Sequence, residues 1–550
     1  MQQLAHSQFN EDNTMKDFQQ YHQTRSLGNT PAKREIPGRT DMVANSEGGY
    51  VFKTDPFTQL ERFLILGITG GTFYVGERDL AKQNLKGIED LINTSGLDVV
   101  QFVVHISTTG RAISNDPALF VLAMCSAAKD VSVRRCALAN LPQVARYGTD
   151  FFSFIEYAKH LRGRGRLFNK ALKDWYLEKT SDKLAYQLVK YQQRNGWSHK
   201  DVLRLCKPST DDISKDWALG WATGKMTYAN GEFFKDGKHD ACDKFSLRSI
   251  EGFERCKEAV EEGHVRFCIN EYGLTREMIP TKWLSNARVW EALLPNTPFN
   301  ALVRNLGVMS SCGLLTPLSK ASRYVAARLS DPNEVSRSRI HPMSIIKALL
   351  TYKMGHGVKG SLTWEVNTQI VTALEEAFYM SFENVEPTNK NILIGVDVSG
   401  SMGWENLGGI VGFTPAMAST IMAMVIARRE PNHHIVCFSS GVSDLGITKH
   451  TSLAEACRIT GSKTFGSTNI PAVIAYARTH NIDVDAYVVL TDNETYMGGH
   501  VCEKLKGNEK FITCAMEANE FTVADPNNAN MLDIVGFDTA TPQLISEFIK

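Results

Sequence analysis

Near Glu383-Asn384-Val385-Glu386-Pro387-Thr388 the chain changes period, and that change restricts the available folds more than any other feature. Before it, apolar residues recur about every 3.6 positions in runs such as Ala118–Ala128, Phe151–Leu161, Leu167–Glu178 and Lys183–Arg194. Strand-like alternation is scarce there. Helix pairs recur at roughly the interval of HEAT-type units, which stack into a curved solenoid. After the change, Ile392–Asp397, His434–Phe438, Ala486–Leu490 and Phe511–Cys514 read as strands, with Ala416–Arg428, Leu453–Ile459 and Pro471–Arg478 as intervening helices. That alternation predicts a doubly wound, Rossmann-like α/β domain. Residues 1–45 are polar with few apolar anchors and read as a mobile tail. The expected organisation is therefore a tail over 1–45, a HEAT-like helical module over 46–385 and an α/β domain over 386–550.

The first strand of that second domain runs into Asp397-Val398-Ser399-Gly400-Ser401. One carboxylate and two hydroxyls at alternate positions, just past the end of a buried strand, suit a hard divalent cation. Mg²⁺ takes about six oxygens at roughly 2.1 Å and usually keeps some waters. Alone, the same pattern is also a turn whose side chains bond nearby backbone N–H groups. Two later elements strengthen the cation reading: Thr468 precedes a helix, and Asp492 closes a second apolar strand. All five residues lie at strand ends or helix starts, where open α/β sheets bind ligands. This order resembles the metal-ion-dependent adhesion site of the von Willebrand factor A fold. By that likeness Ser399, Ser401 and Thr468 touch the ion, with Asp397 and Asp492 acting directly or through water. Mg²⁺ is the expected ion, with Mn²⁺ and Ca²⁺ as alternatives.

The formal charge is zero, but its distribution is uneven. Residues 151–210 hold 13 Lys and Arg against 5 Asp and Glu, and residues 391–550 hold 10 against 17. In the basic stretch the cations fall in stripes at helical spacing: Arg166, Lys170 and Lys173; Lys183, Lys190 and Arg194; Lys200, Arg204 and Lys207. One stripe is ordinarily a solvated helix face. Three in succession with few acids fit a phosphate-binding surface. His199, Trp197 and Tyr191 are candidates for stacking or hydrogen bonding to RNA, with core packing the competing role for Trp197.

Several catalytic classes find no support. Gly220-Trp221-Ala222-Thr223-Gly224-Lys225-Met226 is one residue short of a phosphate loop and ends in Met where a metal-binding hydroxyl belongs. The chain has no H-E-x-x-H or G-x-S-x-G motif and no zinc spacing among its 11 cysteines. Scattered cysteines in apolar runs, no signal-peptide core and no bilayer-length apolar run predict a cytoplasmic protein. Two other classes stay open: a metal-dependent nuclease or phosphoryl-transfer site built on Asp397 and Asp492, and an RNA-free helical scaffold. Two-metal sites generally use more carboxylates than this motif supplies.

Lys190–Asp201, Arg304–Gly307, Arg339–Pro342, Thr351–Gly357, Thr491–Thr495 and Gly536–Thr539 together resemble the Ro RNA-binding autoantigen family, the Ro branch of the TROVE-module proteins. The resemblance implies a HEAT-like helical ring closed against a von Willebrand factor A domain. It implies Y RNA on the outer basic surface, with 3′ ends of misfolded or damaged noncoding RNAs in a central hole. It also implies a monomeric protein in a ribonucleoprotein that serves RNA quality control and stress survival. Bacterial relatives imply an exoribonuclease partner such as polynucleotide phosphorylase. His199, Lys200 and Arg204 are carried over as first candidates for the Y-RNA face. Asn469 stands where some relatives have an acidic residue, which leaves the preferred cation open.

Overall fold

The computed structural model describes residues 30–67, 77–163, 165–229, 231–235, 238–239, 246–357, 361–382, 387–403, 413–463 and 466–550. The chain forms two compact units. One comprises the residues up to Ile88, Arg111–Ile113 and Phe382–Lys550; the other comprises Glu89–Gly110 and Ser114–Ser381. Residues 383–386 of the expected boundary and residues 1–29 of the expected tail lie outside the described residues.

The first unit is built on a six-stranded sheet. Across the sheet the strands run Val442–Asp444, His433–Phe438, Ile392–Asp397, Ala486–Thr491, Lys510–Ala515 and Met531–Val535. All neighbours are parallel except the edge pair Val442–Asp444 and His433–Phe438. In chain order this reads 3-2-1-4-5-6, the doubly wound arrangement whose switch point lies between the first and fourth strands. Ile392–Asp397 and Ala486–Thr491 are buried at every position, as expected of parallel strands covered on both faces. Leu393, Tyr487, Val489 and Phe511 pack in one core with Val473 and Ile474 of the helix Pro471–Thr479.

Residues 30–45 depart from the expected tail. Met42–Ala44 pairs antiparallel with Tyr50–Lys53, which in turn pairs with Phe521–Thr522. Val51 enters the same core as Leu393 and Val489. Arg39 adds a fork of hydrogen bonds at 2.6–2.8 Å to Asp41 and Asp525. The following helix, Pro56–Leu66, is N-capped by Asp55 and buries Arg62 completely. The Arg62 guanidinium donates to Asn519 O, Asn519 Oδ1 and Phe521 O, and bidentately to Asp533 at 2.6 and 2.7 Å. These partners lie more than 450 residues away in sequence, so no local pattern announces them.

The second unit is α-helical apart from short hairpins. Asp116–Ala127 packs on Gly148–Leu161 and Val131–Ala139, Arg248–Lys257 on Glu262–Tyr272, and Pro342–Met354 on Thr368–Met380. Glu77–Thr109 comprises two helices that meet at a kink where Ser95 leaves helical geometry (φ −137°, ψ 39°). A difference from expectation falls in the basic stretch. The helix expected over Lys183–Arg194 ends at Lys190, and Gln193–Arg194 pairs with Trp197–Ser198 as a hairpin. Asn195 (φ 52°) and Gly196 (φ 76°) take the two left-handed positions that such a two-residue turn demands. Arg194 is therefore on a strand, off the helical stripe of Lys183 and Lys190.

Candidate functional site

Asp397 ends the central strand and is fully buried, as are Ser399, Thr468 and Asp492; Ser401 is buried too. Asp397 Oδ1 accepts from Ser399 N at 2.9 Å and Oδ2 from Thr491 Oγ1 at 2.6 Å. The Ser399 and Ser401 hydroxyls lie 3.2 Å apart. Asp492 Oδ1 accepts from Glu494 N at 3.0 Å, and its backbone oxygen accepts from Asn519 Nδ2. Thr495 Oγ1 donates to Thr468 O at 3.1 Å, tying the loop that carries Asp492 to the one that carries Thr468. The loop after the first strand is held in turn by Gly400 N donating to Gly466 O at 3.1 Å. Gly466 adopts φ 47°, a conformation that a side chain would strain.

This donor set fits a hard cation on two observations. Thr468 Oγ1 and Asp492 Oδ2 are shut off from solvent and find no hydrogen-bond donor among the described residues, and buried oxygens in that state need a partner. Burial also pushes the Asp397 carboxyl well above the usual carboxylate range, with the Asp492 charge adding to it. Burial raises Asp492 likewise, against hydrogen bonding from Ser401. Two carboxylates desolvated side by side resist ionisation until a positive charge joins them. Among the described residues no three His, Cys, Asp or Glu side chains form a metal-binding group. The fit thus rests on two carboxylates with the hydroxyls of Ser399, Ser401 and Thr468. Residues 404–412 and 464–465, which flank the site in sequence, lie outside the described residues.

Three further polar residues around the site escaped the sequence reading. Thr491 orients Asp397, and Asn519 links the Asp492 backbone to Arg62. Glu494 is buried, and desolvation together with the Asp492 charge raises its carboxyl to about 7. Only Thr491 and Glu494 had a sequence signal, namely adjacency to Asp492.

The basic residues of the helical unit are placed less uniformly than their spacing predicts. Arg166, at the start of Arg166–Leu177, and Lys200 and Arg204, on His199–Cys206, are exposed, with no carboxylate at ion-pair distance among the described residues. These two helices pack against each other. Lys170 is 71% exposed but its Nζ lies 2.6 Å from Asp174, and Lys173 is half-buried. Lys190 donates to Tyr186 Oη at 2.9 Å and sits over the rings of Tyr186 and Tyr191. Its helix packs on Ile213–Thr223 and Arg248–Lys257. Arg194 is exposed, 3.7 Å from Asp116.

His199 is not on the surface. It is 3% exposed, its Nδ1 lies 3.0 Å from Tyr176 Oη, and its ring packs against Phe152, Trp175 and Tyr176. Desolvation lowers its pKa to about 3, so it is neutral at physiological pH. The polar face expected at this position turns inward because aromatic residues of two other helices close over it. Trp197 is half-buried, donates from Nε1 to Glu156 at 2.7 Å and lies under Lys159.

Comparison with known proteins fits both units. The TROVE domain family matches residues 43–351, and the Ro60 vWA domain matches residues 391–549. The RNA-binding protein RO60 of Deinococcus radiodurans is 36% identical over 532 residues, spanning 94% of this chain and 98% of its own. The protein of the same name from Caenorhabditis elegans is 30% identical, spanning 92% of this chain and 90% of its own. The crystal structure of the Deinococcus radiodurans RO (RSR) protein superposes with a TM-score of 0.67, covering 90% of this chain and 99% of that one. On the strength of these matches over both units, the chain belongs to the Ro60 family of RNA-binding proteins.

Proposed function

We propose that this protein binds structured noncoding RNA, Y RNA foremost, on the basic surface of its helical unit and performs no catalysis. The observation that carries the reading is the set of exposed cations Arg166, Lys200 and Arg204, none at ion-pair distance from a carboxylate among the described residues, on two helices that pack together. Such cations gain affinity by releasing counterions from phosphates. Lys170, Lys190 and Arg194 extend the surface but must first give up or share existing contacts, and the half-buried Lys173 adds to it. His199 serves it from below, by fixing the start of His199–Cys206 beside the Asn195-Gly196 hairpin.

In the same proposal the second unit holds a divalent cation, Mg²⁺ or Mn²⁺, through Asp397, Ser399, Ser401, Thr468 and Asp492. When bound, the ion supplies an electrophilic point for a carboxylate. The residues themselves orient their oxygens and keep the floor of the site dry. Single-stranded 3′ ends of misfolded RNAs form a second class of ligand. An exoribonuclease such as polynucleotide phosphorylase acts on them in a cytoplasmic RNA quality-control particle. Relatives that carry the name RNA-binding protein support the general class; the particular RNAs and the nuclease are the proposal.

Crosslinking in cells followed by RNA sequencing and peptide mapping tests it. Recovery of small structured RNAs joined to peptides containing Lys200 or Arg204 supports the reading, and crosslinks confined to residues 391–550 refute it. Incubating nuclease-free protein with labelled RNA and Mg²⁺ tests the catalytic alternative. Turnover abolished by Asp397→Ala would overturn the non-catalytic assignment.

A further inference from the structure

Tyr147 stands in water where its aromatic neighbours do not. It is 48% exposed at the start of the helix Gly148–Leu161, whereas Phe151, Phe152, Trp175 and Tyr176 nearby are all buried. The backbone on either side of it is gripped by one side chain. Gln187, on the helix Ser181–Lys190, accepts from Gly148 N through Oε1 at 3.0 Å and donates from Nε2 to Arg146 O at 3.3 Å. Gly148 permits the close approach, since a Cβ there would lie 2.8 Å from Tyr191 Cβ and 3.2 Å from His199 Nε2. The Tyr147 ring meets that of Tyr191 with centroids 5.5 Å apart and planes at 42°. Tyr191 is half-buried, and Lys190 Nζ stands 5.3 Å over its ring while donating to Tyr186 Oη at 2.9 Å.

A tyrosine fixed at its backbone, with its ring left in water, gives up conformational freedom without gaining full burial. The same arrangement favours binding, because a ring already in place loses little entropy when a flat ligand covers it. The charge beside it selects the ligand. An ammonium held over the neighbouring ring suits a nucleobase on the aromatic face with its phosphate on the cation. The place is also continuous with the basic surface, since Gly148 lies against His199, which begins the helix carrying Lys200 and Arg204. Bases inside an RNA helix are stacked on one another and offer no free face, so the occupant is an unpaired base.

We propose that Tyr147, backed by Tyr191, is a stacking platform for one unpaired base of the bound RNA, with Lys190 taking the adjoining phosphate. The helical unit would then prefer a structured RNA interrupted by an unpaired nucleotide to an uninterrupted duplex. The proposal rests on the RNA reading above and adds to it a class of RNA and a residue that selects it.

The test uses the full chain and one blunt-ended RNA duplex in three forms: fully paired, with a single bulged adenosine, and with an abasic nucleotide at the bulge. Blunt ends offer no single-stranded 3′ end. Wild-type protein should bind the adenosine bulge about tenfold more tightly than either other form, within the range that stacking one base on an aromatic ring supplies. Tyr147→Ala should erase that preference while leaving the affinity for the paired duplex, its salt slope and the melting curve unchanged. Tyr147→Phe keeps the ring and should keep the preference. With 2-aminopurine at the bulge, binding should quench its fluorescence in wild type and Tyr147→Phe but not in Tyr147→Ala. A preference that survives in Tyr147→Ala, or that is absent in wild-type protein able to bind the paired duplex, would overturn the proposal. Loss of the preference in Tyr147→Phe would assign it to the hydroxyl and overturn the stacking. If wild-type protein binds none of the three in a salt-dependent way, the RNA reading itself fails and the proposal with it.

Discussion

The inward placement of His199 makes a prediction opposite to that of a surface RNA contact. In the folded helical unit its pKa is lowered from 6.5 to about 3, chiefly by desolvation. Once unfolded, the same imidazole protonates near 6.5. Between those values the unfolded chain binds the extra proton, so stability is intact above about pH 6.5 and is lost as pH falls toward 3. At about 1.4 kcal/mol per unit, the 1.5 units between 6.5 and pH 5 amount to roughly 2 kcal/mol. His199→Gln removes the titrating group, so its loss of stability from pH 7.5 to pH 5 should be smaller than wild type's by about that amount. Urea unfolding followed by tryptophan fluorescence reads the right unit, because seven of the 8 tryptophans fall between residues 114 and 381. His199→Ala also loses the Tyr176 contact and opens a cavity among Phe152, Trp175 and Tyr176, for about 3 kcal/mol at pH 7.5. Any loss of RNA affinity in that variant should track the loss of fold. A His199→Ala protein as stable as wild type that no longer binds RNA would place the imidazole on the ligand and refute the reasoning.

Asp397→Ala and Thr468→Ala should each weaken Mg²⁺ binding in calorimetric titration while leaving RNA affinity at the helical unit unchanged; unaltered Mg²⁺ affinity in both would remove the site. Arg62→Ala strands the half-buried Asp533 carboxylate and the oxygens of Asn519 and Phe521. It should destabilise the α/β unit by about 3–5 kcal/mol, seen as loss of protection of strand Met531–Val535 in hydrogen exchange. Lys170→Ala with Lys173→Ala should flatten the salt dependence of RNA binding less than removing Lys200 and Arg204, since Lys170 is already paired with Asp174.

The parts legible in the sequence are those whose cause is local. The β-branched runs ending at Asp397 and Asp492 announce buried parallel strands, and ligand residues at their carboxyl ends follow from the way such sheets are wound. The Asn195-Gly196 turn was also local, but the helical period on either side of it masked a strong hairpin signal. The remaining differences come from distant partners. Met42–Ala44 has only three residues, and its sheet is completed by Phe521–Thr522. Arg62 looks like a surface cation until Asn519 and Asp533 close over it. The buried state of His199 depends on Phe152, Trp175 and Tyr176, which helical periodicity assigns to cores without saying which core.

The central claim is that RNA is held electrostatically by the helical unit, with Lys200 and Arg204 among its phosphate contacts. The most direct measurement is the affinity for a small structured RNA as a function of salt, in wild type and in the double variant Lys200→Ala, Arg204→Ala. Each cation that neutralises a phosphate contributes about 0.7–0.9 to the slope of log affinity against log salt. The double variant should therefore bind more weakly, with a slope flatter by roughly one to two and an unchanged melting curve. A slope equal to wild type's would mean that these cations merely solvate a helix face, and would contradict the account.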